Sequence, residues 1–190
     1  MSTELQDLIA RFAAGAVGEI LKTQTTYIDV VCSQLGELSK WTANYRIHFH
    51  HKRDFALARG IFTSVSLVDE HPLLFEYTEP FKDIYLASPI GDKQKFITDL
   101  RFAAMQVFDG WRTLERYLNP MPLDELLGKR YGLLMSAPSS FAQHVMLVAE
   151  ERGIELNMLE ATKVHREKPR ALLLDAWHVV AEKFSAELLP

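Results

Sequence analysis

Residues 92–119 constrain the fold more than any other stretch. Ile97, Leu100, Ala104, Val107, Phe108, Trp111, Leu114 and Leu118 recur at steps of three and four. On a helical wheel they fall within an arc of roughly 120°, as one buried stripe of an amphipathic helix requires. Lys95, Arg101, Asp109, Arg112 and Arg116 occupy the opposite side. Asp92 is placed to accept the first free amides, and Asn119-Pro120 closes the segment because proline cannot continue a helix. The pattern predicts one long helix serving as the spine of the core.

The N-terminal 40 residues are read as a helical hairpin. Thr3 and Gln6 have capping-box spacing, and Leu5, Leu8, Ile9, Phe12, Ala16 and Ile20 mark one face of a helix over 4–22. Its run Ala13-Ala14-Gly15-Ala16-Val17-Gly18 allows close approach of another element, at about 1 kcal/mol of helix propensity per glycine. Ile28, Val31, Leu35 and Leu38 suggest a second helix over 25–39.

The period then changes to two. Trp41, Ala43, Tyr45, Ile47 and Phe49 alternate with Thr42, Asn44, Arg46, His48 and His50, the signature of a half-buried strand. Residues 54–69 fit helix or strand, leaning to strand because Ile61, Val65 and Val68 favour an extended backbone. Short strands are expected at 73–77 and 84–88, and a short helical turn at 123–127. A strand over 131–138, a helix over 141–152 and a strand over 154–158 form a βαβ-like run whose two strands should be parallel. A final helix from Pro169 carries Leu173, Ala176, Trp177, Val180, Ala181 and Phe184 on one seam.

The expected fold is therefore mixed α and β (α+β). A small sheet is flanked by long amphipathic helices in one domain, 1–190, with the hairpin 1–40 packed on, or swapped from, a body 41–190. The alternative is a mainly helical chain.

Composition narrows the function classes. Hydrophobic residues make up 48% of the 190 and charged residues 24%, which suits a globular chain with a core. The net charge of -4 and the absence of a long basic run disfavour nucleic-acid binding. No apolar stretch approaches the roughly 20 residues that span a bilayer, and the acidic start, Met1-Ser2-Thr3-Glu4, is unlike a secretory signal. The simplest expectation is a cytoplasmic protein. Cys32, the one cysteine, cannot form an internal disulfide. It has no basic neighbour to activate it and reads as a small buried hydrophobe.

One cluster invites chemistry. On a strand, His48 and His50 share a face, and two imidazoles with His71 as third ligand (Asp69 or Glu70 in its place) would suit a divalent metal with an open position for water. The plainer reading is a solvated strand face that contains histidines. Asp175 and His178, three apart on the expected last helix, have the spacing of an oriented base, but no nucleophile can be placed beside them. Ser136-Ala137-Pro138-Ser139-Ser140 leads into a helix N-terminus, where oxyanions bind. No glycine-rich phosphate loop is present, so a capped turn explains it. Trp111-Arg112 and Lys129-Arg130-Tyr131 combine cation and aromatic ring as interface anchors do.

Three functions follow in order. The first is a non-enzymatic interaction or assembly protein, a homo-oligomer through its N-terminal helices, with a protein or small-molecule partner. The second is a small-ligand-binding domain with an aromatic-lined pocket. The third is a metal-dependent hydrolase using the His-x-His site. Whether the chain is an enzyme stays open.

Overall fold

The computed structural model describes residues 2–35, 40–129, 131–161 and 168–190. Among these residues the chain is mostly β, with ten strands and 31% helix, which overturns the expected small sheet among long helices. The chain forms two compact units, one from Met1–Leu74 with Lys168–Pro190, the other from Phe75–Glu167. No helix among the described residues is long and apolar enough to cross a membrane.

The first unit begins with α1 (Thr3–Ala13), capped by the Ser2 hydroxyl, which accepts from the Leu5 amide at 3.3 Å. The helix stops at Ala13, nine residues before the expected end at 22, because Gly15 takes a left-handed conformation (φ 90°). β1 (Val17–Thr23) and β2 (Tyr27–Leu35) follow, so the expected N-terminal helical hairpin is instead one short helix and two strands. The reason lies in β2: Ile28, Val30 and Cys32 point inward on alternate residues. The apolar Val31 between them mimics a helical seam. Leu38 of that seam, like Arg130, lies outside the described residues.

β3 (Lys40–Ala56) is the strand expected at 41–49 and extends beyond it, burying Tyr45, Ile47 and Phe49. β4 (Ile61–Phe62) and β5 (Ser66–Val68) resolve the ambiguous 54–69 stretch as extended. The C-terminal helix is not formed. In its place stand β9 (Arg170–Leu174) and β10 (Trp177–Leu189), joined at Asp175, whose φ of 52° makes the tight turn. β10 pairs antiparallel with β3 from His178 opposite Ala56 to Leu189 opposite Asn44. This pairing joins the C-terminal strand to β3 within a curled antiparallel sheet of order β4-β1-β2-β3-β10-β9-β5.

Leu5, Leu8 and Phe12 of α1 are buried with inward residues of that sheet, and each contributes about 1.5–3 kcal/mol on burial. At one point the backbone approaches the rings closely. Phe12 and Phe62 stack 5.0 Å apart, and only a glycine fits at position 18, where a Cβ would lie 2.3 Å from Phe62. Asp7 accepts from Arg11 Nε and from the Tyr45 hydroxyl, both at 2.7 Å, fastening α1 to β3. These donors hold the Asp7 carboxyl below its ordinary range. Burial, reinforced by the bond to Asp7, pushes Tyr45 up to about 12.

The second unit contains α2 (Phe75–Thr78), β6 (Phe81–Leu86), α3 (Lys93–Phe108), α4 (Leu123–Leu127), β7 (Gly132–Pro138), α5 (Ser139–Glu151) and β8 (Leu156–Glu160). Leu73 to Tyr77 is helical rather than the expected strand. α3 keeps its Asp92 cap, which accepts from the Lys95 amide at 3.1 Å. It ends eleven residues before the anticipated Asn119, because Asp109 and Gly110 both turn left-handed (φ 49° and 76°). β6 lies between β7 and β8 and is antiparallel to both. β7 and β8 are therefore parallel to each other, as expected, with β6 inserted between them. α3 and α5 bury Phe96, Leu100, Phe108, Phe141 and Val145 in the core of this unit.

Candidate functional site

The most developed cluster of polar side chains in the second unit centres on Glu76, a carboxylate carried by the single turn of α2 and only 8% exposed. An isolated buried carboxylate is costly, so it gathers donors. Once α3 has ended at Asp109, the chain doubles back through a 3-10 turn, Leu114–Arg116. That turn and the residues flanking it deliver three donor side chains. Arg116 Nε lies 2.6 Å from Glu76 Oε1, and its Nη2 donates to Oε2 at 2.9 Å. The Tyr117 hydroxyl donates to Oε1 at 2.9 Å. Arg112 Nε lies 2.8 Å from the same oxygen.

The scaffold behind these groups is aromatic. Tyr117 stacks on Phe108 at 5.1 Å, and Phe141 meets Phe108 edge-on at 5.2 Å. The backbone just beyond runs beside β7: Ser136 N–H donates to Tyr117 O at 3.1 Å and Asn119 N–H to Leu134 O at 2.9 Å. Burial, and next the charge of Glu76, drive the Tyr117 hydroxyl well above its ordinary range, so it stays a donor.

In front lies a cavity of about 390 Å³ lined by Glu76, Phe81, Arg116, Tyr117 and Ser136. Two walls are aromatic, one edge is a guanidinium with 41% of its side chain exposed, and Ser136 adds a hydroxyl. A second carboxylate, Glu79, is used differently. It accepts from the Ser140 amide at 2.7 Å and from the hydroxyls of Ser139 and Ser140, closing the N-terminus of α5. The helix N-terminus after Ser136–Ser140 is thus filled by the chain's own carboxylate.

The residues singled out from sequence are dispersed. His48 Nε2 lies 3.3 Å from Glu187 Oε1, on a face shared with Tyr27, Arg46 and Asp29. His50 stands opposite Lys183 of β10. His71 Nδ1 accepts from the Leu73 amide at 3.2 Å, and Asp69 pairs with Arg170. Among the described residues, no group of three or more His, Cys, Asp or Glu side chains is assembled as a metal site, and His48, His50 and His71 form none. Asp175 and His178 are not on one helix face. Asp175 accepts from the amides of Thr63 and Ser64, both at 2.8 Å, while His178 meets Asp54 at 3.3 Å. Burial raises the Asp175 carboxyl, but the Ser64 hydroxyl and these amides outweigh it and hold it low. Cys32 is fully buried and its thiol is pushed up to about 12 by desolvation, which leaves it inert. Lys129 lies 3.6 Å from Glu125, and Tyr131 is 80% exposed.

Glu76 and its partners were missed from sequence. Two signals were present: a lone acid in the apolar run Leu73-Leu74-Phe75-Glu76-Tyr77, and like charges at Arg112 and Arg116, four apart, which repel on a continuous helix. No family model, curated protein or solved structure matches this chain.

Proposed function

We propose that this chain is a small-ligand-binding protein whose site is the Glu76 cavity of the second unit. The ligand is an organic anion: a carboxylate or phosphate group meets Arg116 and Ser136, and a flat or apolar body lies along Phe81 and Tyr117. The observation that carries the reading is the convergence of Arg116, Tyr117 and Arg112 on one buried carboxylate at the wall of an aromatic-lined cavity. About 390 Å³ is within the range of small-molecule sites, which pair apolar walls with a few fixed polar groups. Glu76 already accepts from Arg116 and Tyr117, so it presents little further acceptor capacity. Arg116 meets Glu76 through Nε and Nη2 of a five-donor group. A site rich in donors, with its acceptor engaged, selects ligand oxygens, and arginine binds carboxylate and phosphate in a forked geometry.

Ligand-observed NMR with a panel of aromatic carboxylates and phosphate monoesters on the full chain tests this. Saturable binding that Arg116→Ala weakens at least tenfold supports it, about 1.4 kcal/mol of lost affinity. A panel silent at millimolar ligand, or binding that Arg116→Ala leaves unchanged, removes the proposal.

A further inference from the structure

We infer that the outward face of α3 and α5 is a self-association surface, and that its occupant is a second copy of this chain. The two helices bury one side in the core of the second unit and leave the other side partly apolar. Phe102 and Met105 on α3 are each 54% exposed, and Leu147 on α5 is 55% exposed. Between the helices runs a groove of about 340 Å³ lined by Phe102, Ala103, Gln106, His144, Leu147 and Val148, among others. Large apolar side chains clustered in this way mark interaction surfaces.

The charges beside the groove select the partner. α3 carries exposed Lys95 and Arg101 on its outer side, and α5 carries exposed Glu150 and Glu151. The Asp99–Arg152 ion pair places the C-terminal end of α5 beside the N-terminal half of α3, so the two helices run antiparallel. Arg101 lies two residues after Asp99, and Glu150 lies two residues before Arg152. At the same rise per residue they stand at the same level on opposite sides of the groove. A two-fold axis directed along the groove lays α3 of one copy over α5 of the other without changing level. Arg101 then meets Glu150 and Glu151 of the second copy, twice by symmetry, while Phe102, Met105 and Leu147 pack between them. Such a patch is complementary to itself, as a two-fold interface requires. Within the chain Arg101 also meets Glu115 at 2.9 Å, but both side chains are more than half exposed, and a solvated pair of this kind holds its partners weakly.

The test is mass in solution, measured on the full chain by light scattering with sedimentation over a range of concentrations. The expected species has twice the chain's 21.7 kDa. Leu147→Asp, Arg101→Glu, and Glu150→Arg combined with Glu151→Arg each shift it to monomer with unchanged circular dichroism. The decisive sample is an equimolar mixture of the two charge-reversed variants, in which both contacts become attractive again, and dimer should return. A wild-type chain that stays monomeric to hundreds of micromolar overturns the inference. So does a dimer indifferent to all three changes, or a mixture that stays monomeric. The charge pair keeps the proposal testable should Leu147→Asp fail to fold.

Discussion

Replacing Glu76 by glutamine probes the ion-pair cluster with almost no change of shape. The carboxylate lies within 2.9 Å of donors from Arg112, Arg116 and Tyr117, and its side chain is 10% exposed. The two guanidiniums differ in what they lose. Arg116 is 41% exposed and can turn to water, so its share is that of a surface pair, about 0–1 kcal/mol. Arg112 is 5% exposed and cannot rehydrate without opening the turn after α3. Removing one partner of a buried pair costs about 3–5 kcal/mol, because the charge left behind stays desolvated. Arg112 has a further contact besides Glu76, which sets the expectation at the lower end, about 3 kcal/mol. The glutamine oxygen still accepts from Tyr117, so that bond adds nothing. Urea denaturation followed by circular dichroism measures the loss. Adding Arg112→Met to the same variant should restore at least about 1 kcal/mol, since an apolar replacement removes the stranded charge. A loss below about 1 kcal/mol for Glu76→Gln, or strictly additive costs in the double variant, refutes the reasoning.

Two further outcomes are expected from the first unit. Gly18→Ala inserts a methyl group 2.3–2.7 Å from ring atoms of Phe62 and Phe12, so it should destabilise by about 1–3 kcal/mol through overpacking. Thermal melting reads this, and an unchanged midpoint would contradict the close approach. Asp7, held below the ordinary carboxylate range by Arg11 and Tyr45, stabilises the fold above the unfolded carboxylate's pKa. That contribution fades as pH falls through the lowered folded value. The stability gap between wild type and Asp7→Asn should therefore be constant near neutrality and close in acid; a gap independent of pH down to 2 would remove the assignment.

Local signals proved sufficient where one backbone period dominated. The alternation through Tyr45, Ile47 and Phe49 located β3, and the Asp92 cap located the start of α3. The apolar runs before Pro138 and after Ser139 located β7 and α5. Where apolar residues crowd together, the period disappears. In β10, His178, Val179, Val180 and Ala181 are all buried, so nothing alternates, and Leu173, Ala176 and Val180 imitate a helical seam across what is a hairpin. The pair Asp109-Gly110 carried the stop for α3, yet the stripe continuing to Leu118 hid it. Glu76 could be recognised as an acid out of place, but its partners come from a turn some forty residues away.

What this sequence determines alone is therefore short-range: which segments alternate, where Asp92 starts a helix, and that Cys32 is a buried hydrophobe. The tertiary structure decided that β3 pairs with β10 across more than a hundred residues, and that two arginines share one carboxylate. The physical reason is that backbone periodicity is a property of neighbours. Strand pairing and charge burial depend on which distant segments exclude water together, and a residue's own surroundings in the chain do not encode that choice.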